Sequence, residues 1–196
     1  MHALVLAAWL IADAEAAACV GANLDIDRLL ESGRCYVNDT QRPSPDPSAL
    51  GIEMSPKTLT VRSGSAGRVT ITLRNLTMAP LPLYVGLDCV NGFETMLFTR
   101  KDTRADLPEC GPVWDMGSCN ALTMRIRLAP RGVARIHVPV SATKSEISES
   151  CRPLSLMPIA AGTYKLVVNT PFTAPVPGSN DNEPRQVTGS LTVVDR

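Results

Sequence analysis

Histidine is nearly absent from this chain. Only His2 and His137 occur in 196 residues, so once a removable leader takes His2 away, His137 alone could serve as a neutral-pH acid or base. A blue-copper site wants two histidines with a cysteine and often a methionine. Met96, Met116 and Met124 are present, but one remaining histidine cannot complete that set. Also missing are a G-x-S-x-G elbow, which Gly64-Ser65-Ala66-Gly67 does not fit, a phosphate-cradling glycine loop and H-E-x-x-H. The expectation is a protein without catalytic residues, cofactor or metal. Excess charge of either sign is lacking too: 19 Lys and Arg balance 19 Asp and Glu. No global field recruits nucleic acid or an anionic membrane. Aromatics make up 4% of the residues, so the core must rest on Leu, Val, Ile and Met. The cysteines form no C-x-x-C pair, which argues against a zinc ribbon or a thioredoxin-type centre.

What the chain does have is cysteine in scattered, even number: Cys19, Cys35, Cys89, Cys110, Cys119 and Cys151. That usage fits disulfides formed in an oxidising compartment. Proximity suggests Cys19–Cys35 and Cys110–Cys119, leaving Cys89–Cys151 to join two loops. Residues 1–18 read as an export signal, with an apolar run from Ala3 to Ala12 followed by small residues. Cys19 after three alanines also invites a lipoprotein signal, acylated on that cysteine, and acylation would be the only link to a membrane. Residues 19–49 form an N-terminal segment in which Leu24 to Leu30 suits a short helix stopped by Ser32-Gly33. It ends in the Pro-rich linker Gln41 to Ser48, read as a domain boundary.

From residue 50 to 196 the pattern is strand and turn. Val69, Ile71 and Leu73 alternate with Thr70, Thr72 and Arg74, the period of a strand with one buried face. Leu122, Met124, Ile126 and Leu128 alternate in the same way, and so do Ala134, Ile136, Val138 and Val140. Ala129-Pro130-Arg131-Gly132 between them carries turn chemistry, which predicts an antiparallel hairpin. Tyr164, Leu166 and Val168, then Val187, Leu191 and Val193, supply further strands. Two long loops are expected, Asp102 to Cys119 and Ser141 to Ile159, and Thr170 to Pro184 reads as a polar excursion. Within it Asn180, Asp181, Asn182 and Glu183 offer oxygen ligands, but their spacing suits an exposed turn better than a calcium loop.

Arg68-Val69-Thr70-Ile71-Thr72-Leu73-Arg74-Asn75, Leu128-Ala129-Pro130-Arg131-Gly132 and Ala161-Gly162-Thr163-Tyr164-Lys165-Leu166 carry a family likeness. In their order they resemble small bacterial Ig-like domains, in particular the intracellular proteinase inhibitor family, over about two-thirds of the chain. The resemblance implies an all-β fold, an antiparallel Ig-like β-sandwich of about eight strands, and binding to a serine protease. The cysteines and the export signal differ from a cytoplasmic inhibitor.

In the predicted hairpin Arg127 lies opposite Arg135 and Arg125 opposite His137, on the outer face. Like charges paired across strands cost stability unless neutralised. The row therefore suits an acidic protein or an anionic glycan, or else a solvated face with Asp or Glu on a neighbouring strand. The resulting expectation is a non-catalytic module, secreted or held in the cell envelope or periplasm, that presents disulfide-braced loops. The alternatives are a protease inhibitor acting through one loop and a hydrolase with its site in the loops.

Overall fold

The computed structural model of the chain describes residues 19–37, 43–86, 92–106, 123–147, 153–176, 178 and 181–195. The leader and Cys89, Cys110, Cys119 and Cys151 lie outside them, and so do both disulfides expected among those four.

Period-2 burial dominates the described strands. β5 (Ala66–Asn75) buries Val69, Ile71 and Leu73 completely, each worth about 1.5–3 kcal/mol relative to exposure. β8 (Thr123–Ser141) buries Met124, Ile126, Leu128, Ala134, Ile136, Val138 and Val140 and exposes Arg125, Arg127, Arg135, His137 and Pro139 between them. The first sheet is built on β8. β6 (Leu81–Gly86) pairs with residues 123–128 and β5 with residues 133–141, both antiparallel to β8 and lying end to end along one edge. β3 (Leu50–Ser55) pairs with the outer edge of β5. On the opposite edge of β8 lie β1 (Val20–Asp25), which is parallel, and β2 (Tyr36–Val37), which is antiparallel. Between β1 and β2 runs the short helix α1 (Ile26–Glu31), capped by the Asp25 carboxylate accepting from the Arg28 N–H at 3.2 Å. Gly33 comes after it at φ 64°, a turn that an L side chain would strain.

The second sheet runs β4 (Thr58–Arg62), β12 (Asn182–Val194), β11 (Gly162–Pro175), β7 (Glu94–Phe98). β4 and β12 are parallel, the other pairings antiparallel. Val61, Leu97, Leu166, Val168, Leu191 and Val193 from this sheet join Ile71, Leu83, Ile126 and Ile136 from the first in one apolar cluster. A separate hairpin of β9 (Thr143–Ile147) and β10 (Pro153–Pro158) projects from the body.

Three expectations need correction. The stretch from 123 to 141 is one strand rather than a hairpin, because Ala129–Gly132 bulges without reversing the chain. Both neighbours skip those residues: β1 steps from Gly21 at Leu128 to Asn23 at Val133, while β6 ends at Leu128 and β5 begins at Val133. The sheets are mixed rather than wholly antiparallel, since β1–β8 and β4–β12 are parallel. Ser141 to Ile159 is not all loop, since β9 and β10 fall within it, and residues 170–184 are largely strand. Leu24 and Ile26 are buried in the shared core, so the segment ahead of the Pro-rich stretch folds together with the two sheets. Ser44 in that stretch is itself tied in, its Oγ accepting from the Thr173 N–H at 2.9 Å.

Gly189 shows how closely β12 approaches the chain at the start of β4. A Cβ there would meet the tip of Met54 and lie 2.5 Å from the Lys57 carbonyl oxygen. The methionine can move. The carbonyl cannot, because it accepts the Ser190 N–H at 2.8 Å. Gly189→Ala should cost about 2–3 kcal/mol through forced separation of the strands, read as a lowered Tm, with Thr188→Ala on the exposed neighbouring position as control.

Candidate functional site

The exposed side of β8 carries Arg125, Arg127, Arg135 and His137, but along one strand and not face to face across two. Arg125 aligns with Tyr84 of β6, Arg127 with Pro82, Arg135 with Thr72 of β5 and His137 with Thr70. The expected opposition of Arg127 to Arg135 is thereby overturned, since both belong to the same strand on either side of the bulge.

The row divides in two. Its second half is satisfied by the N-terminal segment. Arg135 Nη1 donates to Asn23 Oδ1. Asp27 Oδ2 accepts from the His137 backbone N–H at 2.9 Å and lies 2.7 Å from Nδ1 of the ring. A carboxylate only accepts, so the ring proton in that contact sits on Nδ1. His137 is therefore a docking contact for α1, with Asp27 supplying the neighbouring acid for this residue alone.

The first half has no counter-charge among the described residues. The Arg125 guanidinium stands over the Tyr84 ring, 5.7 Å from its centroid, an aromatic contact that does not itself use the guanidinium N–H donors. Neither Arg125 nor Arg127 has a carboxylate within ion-pair distance among the described residues. Their backbone amides hold the ends of the N-terminal segment: Arg125 N–H donates to Cys35 O and Arg127 N–H to Cys19 O, each at 2.8 Å. Those two cysteines form a disulfide with Cα atoms 5.7 Å apart, the pairing that proximity suggested. The disulfide closes β1 and α1 into a loop, with β2 following directly after Cys35, and holds it on the edge of β8. Between the clamp and the strand lies an open cleft of about 380 Å³ lined by Cys19, Val20, Cys35, Tyr36, Val37, Arg125, Ile126 and Arg127.

Sequence reasoning missed Tyr84, Asn23 and Asp27, whose roles depend on strand order and not on spacing. It also missed Arg185. This residue occupies the inward register of β12 two places before Val187, and its buried Nη1 has no hydrogen-bond partner among the described residues. Burial lowers its pKa from the ordinary arginine value. The clue was available: an arginine in phase with Val187, Leu191 and Val193. Among the described residues no three His, Cys, Asp or Glu side chains group as metal ligands, and Asp181, Asn182 and Glu183 are exposed. Of the long loop after Asp102, residues 102–106 turn back on β7. There Ala105 N–H donates to Leu97 O at 2.7 Å, and Arg104 bridges Asp106 at 2.9 Å and Glu94 at 3.2 Å.

The β9–β10 hairpin is fixed at its root. Ala142 and Ile159 are buried, Ile159 N–H donates to Ala142 O at 2.9 Å, and Ser63 Oγ donates to Ile159 O at 2.7 Å. Further out Leu156 is 71% exposed and Met157 40%.

No protein-family model and no curated protein matches the chain. Among solved structures, a beta-glucosidase from Listeria innocua matches at 12% identity with a TM-score of 0.34, over 75% of this chain and 16% of that one. The same enzyme in complex with glucose matches at 12% and 0.33, over 74% and 16%. This chain thus spans about a sixth of the length of these structures, and likeness at that level bears on neither fold nor activity. The disulfide points to an oxidising compartment, and no helix among the described residues is long and apolar enough to cross a membrane.

Proposed function

We propose that the chain is an exported, non-catalytic binding module of Ig-like sandwich type whose ligand-facing surface is the Arg125–Arg127 cleft. Two sheets sharing one core support the sandwich reading, and the disulfide supports export. The observation that carries the binding reading is a pair of neighbouring guanidiniums with no carboxylate partner among the described residues, beside a disulfide-braced cleft. Arginine presents a planar fork that suits carboxylate or sulfate groups. An acidic protein segment or an anionic glycan is the matching ligand class. The brace lowers the ordering needed on binding.

The test is retention on an anionic polysaccharide resin with rising salt, for the wild type and for the variant carrying Arg125→Ser and Arg127→Ser. The variant should bind about tenfold more weakly or worse, while its stability changes by less than roughly 0.5 kcal/mol because both side chains are exposed. Equal retention would remove the cleft from the account. A protease-inhibitor reading keeps one supporting feature, an extended β10 with Leu156 exposed. Its measure is inhibition of a panel of serine proteases and loss of that inhibition in Leu156→Asp.

A further inference from the structure

Both cysteines of the disulfide line the same cleft as the two unneutralised arginines, and that coincidence has a chemical consequence. We propose that Cys19–Cys35 is an exchangeable disulfide whose reductant is a small thiol carrying carboxylates, drawn into the cleft by Arg125 and Arg127. This deepens the binding reading above, since it rests on the cleft attracting anions.

The reaction is thiol–disulfide exchange. The thiolate of the incoming molecule attacks one Sγ; the Cys19–Cys35 bond breaks as the new S–S bond forms, and the electron pair leaves on the other cysteine as a thiolate. A second thiolate attacks the incoming sulfur of the mixed disulfide. That step releases the first cysteine as a thiolate and the oxidised small molecule as its disulfide. Two electrons pass to the protein, and solvent supplies any proton that the two thiolates take up. Negative charge arrives with the attacking sulfur and ends on the leaving one. Guanidiniums lining the same cleft favour approach, the charge-dispersed transition state and the departing thiolate.

The fold makes the exchange reversible. Opening the S–S bond removes neither the pairing of β1 with β8 nor the burial of Ile26 in the core, so the segment should stay docked even as its two ends loosen. The two sulfurs remain at the two ends of the same clamp and can re-form the bond.

The experiment exposes the full chain to glutathione, which carries carboxylates, or to 2-mercaptoethanol, which is neutral, at equal thiolate concentration and low salt. Reaction is stopped by alkylation, and labelling of Cys19 and Cys35 is followed by peptide mass spectrometry. Glutathione should react about tenfold faster, and that advantage should vanish in high salt and in the variant with Arg125→Ser and Arg127→Ser. Equal rates in the wild type would overturn the proposal. Binding of S-methylglutathione, which cannot exchange, separates the two levels. Arginine-dependent binding with equal thiol rates defeats exchange and leaves the anion site standing. No such binding together with equal rates defeats both.

Discussion

Asn75→Ala should lower the free energy of unfolding by about 3 kcal/mol, the largest effect expected of any single polar side chain in the described structure. Asn75 is fully buried, at the point where β5 stops and the chain steps out before β6. Its Nδ2 donates to Ala79 O at 2.7 Å and Ala129 O at 2.9 Å, with Leu128 O at 3.4 Å. Its Oδ1 accepts from the Thr77 N–H at 2.9 Å and from Thr77 Oγ at 2.8 Å. One amide thus latches the excursion between β5 and β6 to the bulge in β8 beside it. Truncation takes the side-chain partner from the part-buried Ala129 carbonyl and Thr77 N–H and breaks the link to Ala79 O, which keeps Thr77 Oγ at 2.9 Å; each group left unpaired costs about 1–3 kcal/mol less what water or relaxation recovers. Asn75→Asp keeps the acceptor but sets a carboxylate against three carbonyl oxygens, so it should fall at or below alanine. Urea unfolding midpoints decide the matter: a loss below about 1 kcal/mol for Asn75→Ala would show that the latch is dispensable. The same burial leaves no room for a glycan on Asn75, although Asn75-Leu76-Thr77 matches the acceptor pattern.

This latch explains why turn chemistry at Ala129–Gly132 does not make a hairpin. Pro130 and Gly132 are turn residues, and Arg131 adopts φ 58°, so the local chemistry of a turn is present. Whether such a segment reverses the chain or merely bulges depends on the neighbouring strands. Here residues 76–80 leave the adjacent strand beside it, and Arg131 Nη1 donates across to Leu76 O at 2.7 Å. Nothing within Ala129–Gly132 reports that partner, which stands 55 positions away in the chain. Alternation itself was legible: Val69, Ile71 and Leu73, the even positions from Met124 to Leu128 and from Ala134 to Val140, and Leu166, Val168, Leu191 and Val193 are all buried as their period requires. Period-2 patterning records which face is wet but not the direction of the next strand. The parallel pairings of β1 with β8 and β4 with β12 were therefore invisible to it. β1 was also hidden, because of its six residues only Leu24 is buried.

For the site, composition and spacing located the exposed basic residues and the Cys19–Cys35 pair, while partition of the row into a docked half and a free half came from topology. Asn23 and Asp27 reach Arg135 and His137 only because β1 runs parallel to β8 on its far edge. Arg125 and Arg127 meet no carboxylate among the described residues, where β1 begins at Val20 and β2 at Tyr36 with the disulfide between them. The sequence distance between Asp27 and His137 is 110 residues, beyond any local rule.

Replacing both Cys19 and Cys35 by Ser should cost about 3 kcal/mol, the expected effect of opening a loop of this length when the crosslink spans 16 positions. For a chain of this size that corresponds to roughly 6–12 °C in Tm. The variant should still fold, because Ile26 and Leu24 remain in the core and β1 keeps its pairing with β8. What loosens is the clamp. Amide hydrogen exchange at Arg125 and Arg127, whose N–H groups bond the two cysteine carbonyls, should accelerate more than at Ile71 or Ile136 in the sheet centre. Wild type in reductant should match the variant, and uniform acceleration across β8 would refute a local clamp. The result also bears on the alternative fate of Cys19. Thioether lipidation and the disulfide require the same sulfur atom, so a chain acylated at Cys19 must lack the Cys35 bond. It should then unfold like the double serine variant and not like the disulfide-bonded form.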